Sequence, residues 1–157
     1  MSEKKPVAVD ATTLPVKTGS GYPTPYDQPC RERQRQVLGD LFGLNDFGVN
    51  YMTLPPGAWS SQRHWHSLED EFVYVLSGTA TLVTDDGETD LAPGMCAGFP
   101  AGVSNGHHLV NKADEPVVYL EIGTRNADDD GYYSDIDMKI LKRAQGGDFT
   151  RKDGSPL

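Results

Sequence analysis

Residues 63–78 read RHWHSLEDEFVYVLSG, which combines a His-x-His pair, an acidic cluster and an apolar run that ends at a glycine. Residues two positions apart in a β-strand point to the same face. His64 and His66 are therefore expected to face together, with Trp65 on the opposite side. A tight turn at residues 67–68 would let Glu71, at the start of the next strand, return to the same pocket.

The strand after this turn is predicted to be covered on both faces. Val73 and Val75 alternate with Phe72, Tyr74 and Leu76, so apolar side chains occupy both sides. This pattern is typical of a strand with a packed layer above and below it.

Two imidazoles and one carboxylate form a ligand set that suits a divalent first-row metal. The alternative is that the histidines form a polar patch on a sheet face and that Glu71 is a surface carboxylate. Glu69 and Asp70 are expected to be surface carboxylates. A fourth donor is available in GMCAGFPAGVSNGHHLVN, residues 94–111. His107 and His108 are adjacent there, so only one of them faces inward in a strand.

The composition restricts the class of protein. The chain has 157 residues, about one domain, and 17 glycines and 11 prolines favour turns and short strands over long helices. A net charge of −9 argues against nucleic acid and anionic membranes as partners. No apolar run approaches the roughly 20 residues of a membrane span, and the N-terminus carries no secretory pattern. We therefore expect a cytoplasmic protein in which Cys30 and Cys96 stay unlinked.

Three segments differ in composition. Residues 1–35 are Pro-rich and predict an extended N-terminal arm. Residues 36–126 contain short apolar runs separated by turn signals, which predict an antiparallel all-β sandwich or barrel. Residues 127–157 form a C-terminal extension that packs on the barrel or is partly free, in which DIDMKILKRA is either a strand or a short helix.

Two hairpins are predicted within the middle segment. TATLVTDDGETDL, residues 79–91, places Asp86-Gly87 where a type I′ turn requires positive φ angles. NKADEPVVYLEI, residues 111–122, predicts a second hairpin with a longer polar loop.

Both histidine-containing stretches resemble the two motifs of the cupin superfamily. The first, GAWSSQRHWHSLEDEFVYVLSG, matches at Gly57, His64, His66, Glu71 and Gly78. The second matches at Gly94, Pro100, Gly102, His107 and Asn111. The resemblance covers roughly residues 48–123. It departs from the usual pattern by one extra residue before His64, two extra residues before His107, and Asn105 where a histidine is usual.

The resemblance implies a conical antiparallel β-barrel, or jelly roll, that holds a divalent transition metal: zinc, iron(II), manganese or nickel. The implied metal ligands are His64, His66, Glu71 and His107. His107 is favoured over His108 because its four-residue spacing to Asn111 matches the motif. Further side chains that are expected to contact substrate are His108, Tyr119 and Trp59.

Three functions are compatible with such a site. The preferred one is an enzyme acting on a small oxygenated metabolite, with sugar or sugar-phosphate isomerisation ahead of the others. The alternatives are an iron-dependent dioxygenase and a non-catalytic small-molecule binding module. The acidic sequence shows no obvious phosphate-binding cluster. A homodimer is also expected, because a Pro-rich arm can pair with the exposed sheet edge of a neighbour.

Overall fold

The structure is a computed structural model that describes residues 5–143 and 146–157. One short α-helix is present, α1 (Gly39–Phe42), together with 3-10 turns at Ala11–Thr13 and Gln28–Cys30. The strands are β1 (Lys17–Thr18), β2 (Gln34–Val37), β3 (Phe47–Leu54), β4 (His64–His66), β5 (Glu71–Ser77), β6 (Ala80–Thr84), β7 (Gly87–Leu91), β8 (Cys96–Phe99), β9 (His108–Val110), β10 (Val117–Thr124), β11 (Asp130–Tyr133), β12 (Lys139–Arg143) and β13 (Gly146–Thr150).

The strands form three antiparallel sheets. Their orders are β1-β2-β3-β10-β5-β8, β13-β12-β11-β4 and β7-β6-β9. The prediction of an antiparallel all-β fold is confirmed.

One hydrophobic core lies between the six-stranded and three-stranded sheets. The six-stranded sheet contributes Met52, Leu54, Val75, Val117 and Tyr119, and the three-stranded sheet contributes Ala80, Leu91 and Leu109. These positions follow the two-residue alternation of each strand. Each fully buried aliphatic side chain contributes about 1.5–3 kcal/mol, so this core supplies much of the driving force that holds the two sheets together.

The hairpin of β6 and β7 is confirmed, but its predicted turn is wrong by one residue. Thr84 pairs with Gly87, so the turn consists of Asp85 and Asp86. Gly87 has a φ of 115°, and no non-glycine residue in the described chain has a positive φ. The Asn105 side chain holds the turn from outside, since it accepts from the Asp85 amide and donates to the Asp86 carboxylate.

The second predicted hairpin is wrong, because β9 and β10 belong to different sheets. The Asn111 side chain donates to the carbonyls of Leu54 and Glu115 and accepts from the Ala113 amide. These bonds satisfy the backbone of a loop that crosses from one sheet to the other.

One face of β5 is buried as predicted, and the other is not. Val73 and Val75 are buried as expected, but Phe72, Tyr74 and Leu76 are 37%, 39% and 41% exposed. No second layer covers that face within residues 5–143 and 146–157. The expectation of a strand covered on both sides is therefore wrong for the single chain.

Both flanking segments are joined to the sheets. In the arm, β1 pairs with β2, and the Gln36 side chain donates to the carbonyls of Ala11 and Leu14. In the extension, β11 pairs with β4 and β12 pairs with β13. The ambiguous segment DIDMKILKRA, residues 135–144, is thus a strand over Lys139–Arg143, and its last residue lies outside the described residues. The division into arm, barrel and extension at residues 35 and 126 stays a prediction.

Two smaller expectations concern cysteines and membranes. Cys30 is buried, Cys96 is exposed, and both are free thiols as expected. Among the described residues, no helix has the length and apolarity to cross a bilayer.

Candidate metal centre

Three imidazoles converge on one carboxylate oxygen. The Nε2 atoms of His64, His66 and His107 lie 3.5, 3.6 and 2.8 Å from Oε2 of Glu71. The structure therefore brings together all four side chains that the sequence proposed as ligands. Their role as metal ligands stays a prediction.

Strand β4 explains why the first two histidines meet. His64 and His66 project from the same face with ring centroids 5.0 Å apart. Trp65 points the other way and stacks on Tyr132 at 4.6 Å. The two-residue strand period predicted this arrangement.

The Nδ1 atoms of both histidines are engaged. Nδ1 of His64 lies 2.8 Å from the carbonyl oxygen of Gln62, and Nδ1 of His66 lies 2.6 Å from Oδ2 of Asp129. Carbonyl and carboxylate oxygens only accept, so each Nδ1 donates. In the neutral tautomer this leaves the lone pair on Nε2, directed at Glu71.

This arrangement fits a bound cation. Lone pairs of two neutral imidazoles facing a carboxylate oxygen repel one another unless a proton or metal ion lies between them. One ligand atom from each of His64, His66 and Glu71 lies within 4.8 Å of the other two. Nitrogen and oxygen donors in this combination, with the outer nitrogens held by acceptors, are typical of divalent metal sites.

His107 reaches the same point from the other stretch. Its backbone forms an isolated bridge with His64, with amide–carbonyl distances of 2.9 and 3.1 Å. Phe99 stacks parallel to its ring at 3.5 Å. Its Nδ1 is buried without a hydrogen-bond partner in the described part of the chain. Glu71 is thus the polar group that aims this ring.

His108, the alternative fourth ligand, is held by partners other than Glu71. Its Nδ1 donates to the Ser61 carbonyl at 2.9 Å, and its ring packs edge-on against Trp59 at 4.7 Å. His108 and Tyr119 border a small internal space of about 30 Å³ beside Glu71. A role for His108, Tyr119 or Trp59 in substrate binding stays a prediction.

The pKa values of the cluster reflect its mutual contacts. Burial alone would raise the pKa of Glu71, but hydrogen bonds to His107 and His64 hold it well below its usual range. Burial acts to lower the pKa of His64, and the bond to Glu71 offsets this and raises it overall. Burial lowers the pKa of His107, which Glu71 only partly offsets. In the absence of metal, His64 therefore binds a proton more readily than a free imidazole.

Asp129 belongs to the candidate centre by its contact with His66, and the sequence analysis did not identify it. Besides His66, its carboxylate accepts from the amides of Leu68 and Glu69 at 2.8 and 3.2 Å. Burial raises its pKa, and these bonds with the His66 contact lower it overall, so the carboxylate stays ionised. The only signal in the sequence is the acidic run DDD at residues 128–130, which has no local pattern that connects it to a histidine.

Glu69 is also not the surface carboxylate that we expected. It is 8% exposed, accepts from the Asn126 amide at 2.7 Å, and forms an ion pair with Lys142. The Lys142 ammonium also lies 3.5 Å from Asp129. His66, Glu69 and Asp129 could by spacing hold a second metal, but Lys142 already supplies the positive charge. Asp70 is exposed as expected.

A cavity of about 330 Å³ opens at the candidate metal centre, large enough for a small metabolite. His66, His107, Glu69 and Glu71 form its polar side. The remaining wall contains both apolar and polar residues: Trp65, Leu82, Thr84, Asp86, Ala97, Gly98, Phe99, Pro100, Val103 and Asn105.

Comparisons with known proteins agree with this architecture. The cupin domain family model matches residues 50–123. The crystal structure of a sugar phosphate isomerase from a cupin superfamily, from Silicibacter pomeroyi, is 47% identical, with a TM-score of 0.93 over 96% of each chain. A putative sugar phosphate isomerase from Acidithiobacillus ferrooxidans is 30% identical, with a TM-score of 0.74 over 80% of each chain.

A curated relative extends the similarity to a longer protein. Oxalate decarboxylase OxdC from Bacillus subtilis is 33% identical over 92 residues, which cover 55% of this chain and 22% of OxdC. The chain thus spans only about a fifth of that relative. With the family-model match, the 47% identity across nearly the whole chain and the antiparallel fold, these similarities show that the chain belongs to the cupin superfamily.

Proposed function

We propose that this chain is a metal-dependent enzyme that isomerises a small oxygenated metabolite, a sugar or a sugar phosphate. The observation that carries the proposal is the convergence of three imidazole Nε2 atoms on Glu71 Oε2 beside a cavity of about 330 Å³. The similarity to a cupin described as a sugar phosphate isomerase, and to a second protein described as a putative sugar phosphate isomerase, supports the choice of reaction.

The metal would be held by His64, His66, Glu71 and His107. The donor set accepts zinc, iron(II), manganese or nickel. When bound, such an ion supplies Lewis-acid polarisation of a substrate carbonyl or hydroxyl oxygen.

The protein side chains around the ion have separate tasks. Asp129 holds the orientation of His66, and Phe99 and Trp65 provide apolar walls that exclude water from one side of the cavity. Isomerisation also needs a group that moves a proton. Glu121 borders the internal space beside Glu71 and is held by the Asn50 amide at 3.0 Å, so we assign this task to its carboxylate.

The test combines metal analysis with proton exchange. Protein purified without chelators is analysed for transition metals and then incubated with aldoses, ketoses and their phosphates in D₂O, with NMR as the readout. We expect bound metal and solvent deuterium at the carbon next to the carbonyl. Glu71→Gln should lose both. The matched control is Glu88→Gln, a surface position paired with Lys112, and it should keep both.

Other outcomes of the same experiment would overturn the isomerase. Oxygen consumption by iron(II)-loaded protein, without deuterium exchange, would favour the dioxygenase. A sugar that raises the melting temperature and returns unlabelled would favour the binding module. A protein that neither retains nor rebinds metal would contradict all metal-dependent functions.

We also propose a cytoplasmic homodimer with a small-molecule substrate. The exposed apolar side chains Phe72, Tyr74 and Leu76 on β5 support a second copy as the missing cover of that sheet face. Sedimentation should show a dimer at micromolar concentration, and Leu76→Glu should produce a monomer. A wild-type monomer would contradict the proposal.

A further inference from the structure

A second cavity, of about 290 Å³, lies on another side of Glu71 and is lined by four basic and four acidic side chains, a grouping that the sequence did not suggest. Four basic side chains border it: Lys17, Arg35, Arg125 and Lys142. We propose that this cavity binds the oxyanion group of a small-molecule ligand, and that Lys17 and Arg35 are the side chains that bind it. The identity of that ligand as the substrate rests on the proposed function.

The pairing of β1 with β2 places two like charges against each other. Lys17 and Arg35 are direct cross-strand partners in this antiparallel pair. Side chains at such positions share a face, and like charges directly opposite destabilise the pair. Neither side chain makes a hydrogen bond or ion pair with any residue in the ranges 5–143 and 146–157. An anion between them would convert this repulsion into attraction.

The other two cations at the cavity already have ion-pair partners. Arg125 pairs with Asp40, and Lys142 pairs with Glu69. Two acidic groups remain: Glu71 bonds to His107, and Glu121 accepts from the neutral Asn50 amide and also interacts electrostatically with Arg35. Lys17 and Arg35 are thus the two cavity cations that have no ion pair within 4.0 Å among the described residues, in a chain whose net charge is −9.

Strand register places this pair on the same sheet face as the candidate metal centre. Directly paired residues face the same side, and the pairs Arg35–Met52, Met52–Tyr119 and Gly123–Glu71 connect the strands across the sheet. Glu71 and Glu121 border both this cavity and the space beside the histidines. A ligand whose anionic end binds at Lys17 and Arg35 would therefore direct its other end toward Glu71.

The chemistry of the two side chains defines the ligand class. A planar guanidinium presents paired N–H donors that match the oxygens of a phosphate or a carboxylate, and a lysine ammonium adds a point charge. The shared feature is a terminal oxyanion on a small metabolite. A phosphate monoester and a carboxylic acid are the two sources of that group.

Calorimetric titration of the full chain with inorganic phosphate and with acetate, at constant ionic strength, tests the inference. We expect phosphate to bind, and Arg35→Gln to weaken binding by about tenfold or more, as loss of a charge-assisted hydrogen bond implies. Lys17→Gln, at an exposed position, should weaken it less, and Arg35→Lys should restore part of the affinity. Matched controls are Arg31→Gln and Lys112→Gln, which remove one charge outside the cavity and should leave binding unchanged.

The two probes also separate the sources of the anion. Tighter binding of phosphate than of acetate would support a phosphate monoester, and the reverse order would support a carboxylate. Absence of binding for both, or equal weakening by the controls, would overturn the inference. Because titration needs no turnover, intact phosphate binding with no isomerase activity would reject only the proposed function. Isomerase activity without an effect of Arg35→Gln on phosphate binding would reject only the cavity.

Discussion

The histidines of β4 and the histidines of the second stretch are held in different ways. His64 and His66 each donate from Nδ1 to a fixed acceptor, so their Nε2 atoms are aimed before any metal arrives. His107 has no such partner within the described residues and is aimed by Glu71 and the stacked Phe99. His108 uses its Nδ1 to donate to the Ser61 carbonyl. One half of the centre is thus preorganised by outer hydrogen bonds, and the other half depends on a contact that a metal would replace.

The largest effect expected from this difference concerns loss of a ligand. His66→Ala should weaken zinc binding by more than about 100-fold, above the effect typical of outer partners. His107→Ala should weaken it by a smaller factor, because that ring is less preorganised. Competition with a chelating dye measures both, and His108→Ala serves as the control with unchanged affinity. An equal or greater loss of zinc affinity in His107→Ala would contradict the proposed difference in preorganisation.

A second prediction isolates the outer hydrogen bond. Asp129→Asn should weaken zinc binding by about 10- to 100-fold, because the amide no longer fixes the His66 tautomer as a carboxylate does. Asp128→Asn removes an exposed carboxylate next to it in the chain and should have no effect. Unchanged zinc affinity in Asp129→Asn would mean that β4 alone positions His66.

The two halves should also differ in how metal-free protein responds to pH. The raised pKa of His64 stabilises the fold below about pH 6.5, and this contribution is lost as pH rises through the folded-state pKa. The lowered pKa of His107 acts in the opposite sense, because its contribution is present above pH 6.5 and lost as pH falls. Each group changes the free energy of unfolding by at most about 1.4 kcal/mol per pH unit.

Urea unfolding of chelator-treated protein between about pH 5 and pH 8 tests this difference. His64→Gln should cost most stability at the acidic end of the range, and His107→Gln should cost most at the alkaline end. Parallel stability curves for the two variants would contradict opposite pKa shifts.

The smallest effect concerns the loop before His107. Asn105→Ala removes the bonds to the β6–β7 turn and should lower the free energy of unfolding by about 1 kcal/mol, the value of one or two exposed hydrogen bonds. Zinc affinity should not change, because Asn105 holds the turn and contacts no candidate ligand. A loss of zinc binding in this variant would mean that the loop positions His107.

Local pattern was sufficient for part of this centre and insufficient for the rest. The two-residue strand period put His64 and His66 together, and a short turn returned Glu71 to them. The strand period alone could not decide which of the adjacent residues His107 and His108 faces inward. In the structure, the backbone bridge between His64 and His107 brings His107 to Glu71. Asp129 is 63 residues from His66 in sequence, and only the pairing of β11 with β4 brings them together.

The same limit explains the errors in the fold. The apolar residues of β5 correctly predicted a strand. An apolar sequence does not show, however, whether a strand face is covered by another part of the same chain. The second hairpin was inferred from two strands that are adjacent in sequence. In the structure the Asn111 side chain supports a loop that separates them into different sheets.

The segment matched by the cupin domain family model, residues 50–123, contains His64, His66, Glu71 and His107 but excludes Asp129, Lys17 and Arg35. Under the two proposals made above, substitutions in the two flanking segments would alter metal retention or ligand preference without changing residues 50–123. A chimera that transferred only residues 50–123 to another scaffold would carry the ligand atoms without the group that orients His66 or the cations at the second cavity. Divergence of specificity on this scaffold can thus proceed in chain regions that a comparison of the shared domain leaves out.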